Sequence, residues 1–210
     1  MNAGEMVNAL RRRTGYPVDD PLVTGEALFD ALNEALGAIA AETDWPWLRV
    51  STTFSTTAGD RTYATPTSWV RTDRILDPDG DPLERADARQ LEDDYGTDRG
   101  TPRFWSTSVE SETEVILLVP TPDAARTYTH HYVRAEKVLT SDSESPYLPA
   151  QFHRAAVALA EAFAHEIGRD AKRAEAARDR YEKVWRPRML DDRRRSRGPV
   201  RPRIREGSWW

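Results

Sequence analysis

The chain has 210 residues, with 30 Lys and Arg against 35 Asp and Glu, for a formal charge of −5. Charged residues make up 31% and hydrophobic ones 39%, the mean hydropathy is −0.71, and no stretch approaches the roughly 18 apolar residues of a membrane span. Cysteine is absent, which excludes disulfide staples, thiol catalysis and thiolate metal sites together.

The opening MNAGEMVNALRRRTG lacks the apolar h-region of a signal peptide, so the expectation is a soluble protein of cytosolic type. Its core is small for its length, and burial is expected to be completed against copies of itself or a partner. Charge is uneven. Residues 186–206 hold nine Arg and three acids, whereas residues 1–185 hold 21 basic and 32 acidic side chains. An acidic body with a basic tail reads as an interaction arm or as a solvated tail.

In chain order, residues 5–14 predict a short helix ended by Gly15 and the Tyr16-Pro17 step. A longer helix is expected from Thr24, as N-cap, to Thr43, with Leu28, Leu32, Leu36 and Ile39 in one apolar stripe. The period then changes. LRVSTTFST (48–56), the turn Ala58-Gly59-Asp60 and RTYATP (61–66) read as a hairpin, and RTDRILD (71–77) with PLER (82–85) as another. ADARQLEDDYG (86–96) predicts a small helix closed by Gly96. FWSTSVE (104–110) and EVILLVP (114–120) pair across a tight turn, and RTYTHHYVRA (126–135) is a further strand.

Helix resumes at Pro149, with Phe152, Ala156, Leu159, Phe163 and Ile167 as its stripe up to Gly168. A last helix is expected over 169–190, with Ala174, Tyr181, Val184 and Trp185 on one side and a late break or kink at Pro187. This order defines an α+β fold: a helical bundle formed by both chain ends (1–46 and 136–192), an inserted antiparallel β-hairpin module (47–135), and an extended Arg/Pro-rich C-terminal arm (193–210).

Catalytic patterns are missing. His130 and His131 are adjacent on a strand and point to opposite faces, so they cannot share a metal. His165 lies four residues after Glu161 on one helix face, which reads as an ordinary surface pair. Asp77, Asp79 and Asp81 resemble a calcium loop only loosely: Gly80 falls at the fourth position, no bidentate Glu follows suitably, and a hairpin turn fits better. Asp19-Asp20, Glu92-Asp93-Asp94 and Glu110/Glu112/Glu114 read as solvated acids. There is no G-x-S-x-G elbow and neither Gly-rich phosphate cradle. The expectation is no catalytic residue, no metal and no cofactor.

The seven tryptophans carry more. Trp45 and Trp47 bracket Pro46 at the helix-to-strand change and are expected to lock the two modules, while Trp69 and Trp105 read as β-module core. Trp209 and Trp210 have no local core. From Arg193 to Trp210 the arm spans up to about 60 Å when extended. Its expected partner-binding residues are Arg193, Arg194, Arg195, Arg201, Arg203, Ile204, Arg205, Trp209 and Trp210, since Trp and Arg dominate binding hot spots. Arg outnumbers Lys 27 to 3, and forked guanidinium bonds suit carboxylates or phosphates.

The ordered run WPWL (45–48), TFSTTAGDRTYATP (53–66), RILDPDGDPLER (74–85), GTPRFW (100–105), VILLVPTPD (115–123) and LPAQFHRA (148–155) resembles phage head-to-tail adaptor (connector) proteins, of the tail accessory factor type. The resemblance covers residues 24–185; the end of the chain has no matching motif. It implies a non-enzymatic ring, commonly a dodecamer, beneath the portal ring at the head–tail interface of a virion assembled in the host cytoplasm. Its partners would be the portal protein, copies of itself, the next tail component (stopper, or tail tube or nozzle), and double-stranded DNA passing through the lumen without sequence-specific contacts; no membrane is involved. The arm would grip the portal or a neighbouring subunit. Two other classes stay open: a nucleic-acid-binding protein using the basic arm, with steeply salt-dependent affinity, and a hydrolase built on the acid clusters.

Overall fold

The computed structural model describes residues 1–96, 98–110 and 113–196. In chain order the elements are α1 (Ala3–Thr14), α2 (Gly25–Ala41), β1 (Arg49–Ser55), β2 (Thr62–Ala64), β3 (Trp69–Leu76), β4 (Glu84–Arg85), α3 (Ala88–Tyr95), β5 (Arg99–Gly100) and β6 (Phe104–Glu110). They continue with β7 (Thr113–Val119), β8 (Thr121–Pro122), β9 (Thr127–Arg134), α4 (His153–Ile167), α5 (Ala171–Arg180) and α6 (Arg186–Ser196). The chain is α+β and divides into two compact units: residues 1–46 with 136 onward, and residues 47–135.

In the helical unit, α1 starts with a capping box. Asn2 Oδ1 accepts from Glu5 N at 2.8 Å while the Glu5 carboxylate accepts from Asn2 N. Its buried stripe is Ala3, Met6, Leu10 and Thr14, and Gly15 closes it at φ +72°, a left-handed angle glycine adopts without strain. Thr24 caps α2 as the sequence predicts, and Leu28, Leu32, Leu36 and Ile39 are all buried. Trp45 is fully buried, its Nε1 donating to the Ile39 carbonyl at 2.5 Å.

Helix α4 packs against α1, α2 and α5. It is buried over more of its circumference than the predicted stripe: Ala155 to Ala162 are all covered, whereas Phe163 and Ile167 are only half-buried. Alanines at 155, 156, 158, 160, 162 and 164 let neighbouring helices approach closely on several sides. The expected surface pair Glu161 and His165 is therefore overturned, since both lie in this covered zone at 6% and 3% exposure. A four-residue spacing reveals a shared helix face but not what packs on it.

In the β unit, β9 is the centre of a three-stranded antiparallel sheet, β1-β9-β3. A second sheet runs β2-β7-β6-β4, and β5 pairs with β8. The short β4–β6 and β5–β8 pairings are parallel; the long ladders are antiparallel.

The predicted hairpin between 48–56 and 61–66 does not form. β1 pairs along its whole length with β9, from Arg49↔Val133 to Ser55↔Thr127, while β2 joins β7 in the other sheet. Thr56 explains the crossing. Its N–H donates to Arg126 O at 2.8 Å and its hydroxyl to Ala124 O at 3.0 Å; Gly59 N then donates to Pro122 O at 2.9 Å. These bonds carry the loop away from β1. The second predicted hairpin is reduced to one bridge, Leu76↔Pro82, before β4 leaves for β6. The β6–β7 pairing stands, from Phe104↔Val119 to Glu110↔Thr113; Glu112 lies outside the described residues.

Ile75, Leu83, Trp105, Ile116, Leu118 and Tyr128 form the main β core, with Phe54 and Tyr63 against it. Leu117 and Val119 point the other way, onto Leu91 of α3. The run VILLV (115–119) is apolar at every position because β7 is covered on both faces, one by a sheet and one by a helix. Trp69 is only half-buried, and its Nε1 donates to Thr72 Oγ1 at 3.1 Å.

Candidate partner-binding segment

The stem of the basic arm is built in three steps. Asp170 caps α5 by accepting from Arg173 N at 3.1 Å. At Tyr181 the helix widens into a π turn (Tyr181–Trp185), in which Arg186 N donates to the Tyr181 carbonyl five residues back. Pro187 follows at once. A proline cannot donate to the fourth carbonyl before it and crowds that oxygen, and the widened turn takes up this defect. Helix α6 then runs on to Ser196, so the expected end near 190 and the apolar side containing Val184 are corrected: Tyr181 and Met189 are buried, while Val184 is 39% exposed.

Two ties fasten this stem to the C-terminal end of α2. Glu42 Oε1 accepts from the Tyr181 hydroxyl at 2.6 Å, and its Oε2 accepts from Arg186 Nε at 3.0 Å. Arg193 Nε donates to the Asp44 carbonyl at 3.0 Å. Helix α2 has no basic residue in its last turn, and Glu42 and Asp44 add negative charge where the helix dipole is already negative. Arg186 and Arg193 neutralise that end from another element. Burial and the bond to Glu42 push the Tyr181 hydroxyl well above its ordinary pKa, so it stays a donor.

Of the nine expected binding residues, Arg193 faces inward to Asp44, Arg194 is exposed, and Arg195 pairs with Asp191 at 2.6 Å. Arg201, Arg203, Ile204, Arg205, Trp209 and Trp210 lie outside the described residues.

A second polar cluster lies between α1, α4 and α5. The Glu161 carboxylate accepts from Arg13 at 2.7 Å and from Arg180 Nη1 at 3.1 Å on both oxygens. His165 Nδ1 meets the Tyr16 hydroxyl at 3.1 Å, and burial lowers its pKa. Arg13, Glu161, His165 and Arg180 line a recess of about 450 Å³ with Arg173. A carboxylate clamped by two guanidiniums is committed as an acceptor, which makes it a tie between three helices and a poor proton shuttle.

Members of three other acid clusters also have structural partners. Asp77 Oδ1 accepts from the backbone N–H of Asp79 and Asp81, closing the turn at Gly80 with φ +91°. Asp20 accepts from Leu22 N and Val23 N, and Glu92 pairs with Arg61 at 2.7 Å. Among the described residues, no group of His, Cys, Asp and Glu is placed to hold a metal ion. No helix among them is long and apolar enough to cross a membrane.

Sequence reasoning passes over Glu42 and Arg186, and places Tyr181 only on one side of the last helix. The available signal is two acids, Glu42 and Asp44, at a helix end with no base of its own, which calls for cations from elsewhere.

The chain is thus a two-unit α+β protein whose described polar clusters tie its own elements together. The family model for the SU10 adaptor protein matches residues 1–203, and the chain belongs to that family. It is a family of structural phage adaptors rather than of enzymes, with a place in the virion at the head–tail interface, the class that the ordered motifs between Trp45 and Ala155 resemble. Among curated proteins no match is found.

Proposed function

We propose that the protein is one subunit of a homo-oligomeric adaptor ring, of dodecameric type, seated beneath the portal and continuing the DNA channel into the tail. The helical unit and the arm contact the portal. The β unit faces neighbouring subunits or the next tail component. Surplus carboxylates facing the lumen would repel phosphates and let duplex DNA slide without sequence-specific contacts. The observation that carries this reading is the family match across residues 1–203, which includes both units and the stem of the arm.

The stem supports a role for the arm. Arg186 and Arg193 fasten α6 to the end of α2, while Arg194 and Arg195 remain exposed at the point where the arm begins. The test is to mix the protein with portal rings of the same phage and image the particles by negative stain, using the full chain and a form ending at Ser196. Ending there, rather than before Arg193, preserves the bond to Asp44. A second ring seen only with the full chain supports the proposal. Equal binding by both forms removes residues 197–210 from it, and binding by neither overturns the portal assignment. A steeply salt-dependent affinity for duplex DNA would then favour the nucleic-acid reading.

A further inference from the structure

The helical unit carries a groove of about 770 Å³ between the first half of α1, the first half of α2 and residues 138–142. Val7, Phe29 and Leu139 supply apolar lining, and Val138 stands at the lip, 69% exposed. Three carboxylates, Glu26, Asp30 and Asp142, also line it, with no Lys or Arg among the described lining residues.

The walls are held in place. Asn33 exchanges two hydrogen bonds of 2.9 Å with the Leu139 backbone. Ala3 N and Gly4 N donate to Glu144 O and Asp142 O at 2.7 and 3.0 Å. A Cβ on Gly4 would come within 3.0 Å of Asp142 Cβ, so glycine is what allows the segment to lie so close to α1. Glu144 braces the same segment, accepting from Thr140 N at 2.6 Å and pairing with Lys137 at 2.8 Å.

We propose that this groove is the resting site of the chain's own segment 197–210, RGPVRPRIREGSWW. Charge is the first argument: the segment has four arginines and one acid, against three groove carboxylates. Its Val200, Ile204, Trp209 and Trp210 offer apolar groups to Val7, Phe29 and the exposed Val138.

Reach is the second argument. Arg193 is fixed to Asp44, just past the C-terminal end of α2, and the groove centres on Phe29 to Asn33 of that helix. At 1.5 Å per residue the two points are about 20 Å apart along α2. Fourteen residues can span at most about 46–50 Å, more than twice that distance. A tethered segment sits at millimolar effective concentration, so modest affinity suffices for docking in cis. The arm would then be shielded on its own subunit until a better-matched partner surface displaces it. This rests on the reading of 193–210, to which this segment belongs, as the interaction arm.

The absence of cysteine makes the test direct. Asp30→Cys combined with Ile204→Cys supplies one possible disulfide under copper–phenanthroline oxidation, with Glu175→Cys and Ile204→Cys as the control pair, Asp30 and Glu175 both being exposed. The expected product is an internally cross-linked monomer, formed several-fold more than in the control and reduced several-fold by adding Glu26→Lys and Asp142→Lys. A disulfide-linked dimer as the main product, or a yield no greater than the control, overturns the proposal. Circular dichroism of each reduced variant confirms the fold. The cross-link is read without portal, so a failure of portal binding and a failure of groove docking are told apart.

Discussion

Glu42 and Tyr181, 139 residues apart in sequence, meet through a 2.6 Å hydrogen bond at the C-terminal end of α2. The bond joins the first long helix to the π turn that launches the arm. Tyr181 is 1% exposed and Glu42 is half-buried, so this charge-assisted contact is largely shielded from water. Tyr181→Phe is expected to cost about 1–2 kcal/mol, because Glu42 keeps Arg186 but loses its second donor. Tyr181→Ala should cost about 3–5 kcal/mol by opening a cavity as well. Urea melts followed by circular dichroism measure both, and equal losses would show that the hydroxyl, not the ring, carries the contact.

Among the described residues, Glu161 is the acceptor shared by Arg13 and Arg180 in the three-helix cluster. Glu161→Ala leaves two guanidiniums that are 31% and 48% exposed and can turn to water. The expected loss is therefore about 1–3 kcal/mol, below that of a fully dry pair. A double-mutant cycle with Arg13→Ala should give a coupling of about 1 kcal/mol or more; additivity would dismiss the tie.

His130 is 1% exposed, with Nε2 at 2.9 Å from Thr72 Oγ1, and burial lowers its pKa to about 4. The unfolded chain binds a proton here below about 6.5, whereas the folded chain does so only near 4. Stability is thus fully present above pH 6.5 and falls as the pH is lowered towards 4, by up to about 3 kcal/mol from this residue. Histidine Cε1 proton shifts should show one imidazole titrating near pH 4; four normal titrations would contradict this.

Glu144 behaves in the usual carboxylate sense. The Lys137 ammonium, followed by the Thr140 N–H, lowers its pKa to about 2. Its contribution is present above the ordinary value of 4.5 and is lost as the pH falls through about 2. Glu144→Gln should flatten the acid limb of the stability curve in that window. It should also raise amide exchange at Thr140 and Ser141, the two backbone groups it accepts from.

Trp105 and Tyr128 share the β core, but only one has polar needs unmet. The Tyr128 hydroxyl is buried without a hydrogen-bond partner among the described residues. Tyr128→Phe should be neutral or stabilising by up to about 1 kcal/mol. Trp105→Ala should cost about 3–5 kcal/mol. Thermal melts of the two variants should move in opposite directions, or the first not at all.

Local signals in the sequence were informative where a single element answers to its own residues. Thr24 caps α2, Gly15 and Gly96 close α1 and α3, and Asp77 with Gly80 makes its turn, because each depends on groups within a few positions. Strand positions were legible from alternation for the same reason. Strand partners were not: β1 has a turn and a second strand directly after it, yet Thr56 and Gly59 are bonded to residues 122–126, and β1 pairs with β9. The π turn before Pro187 was also hidden, since a proline predicts a defect without saying where the helix absorbs it.

By itself the sequence determined the α+β class, the two kinds of segment, the missing thiol chemistry and the ordered motifs shared with phage adaptors. Those properties follow from composition, period and short spacings, which are local along the chain. Only the tertiary structure decided that Glu161 is buried between two arginines, that Glu42 holds the stem of the arm, and that three carboxylates line one groove. Each of these depends on residues far apart in sequence, and a charge's energy is set by what surrounds it in space rather than by its neighbours in the chain.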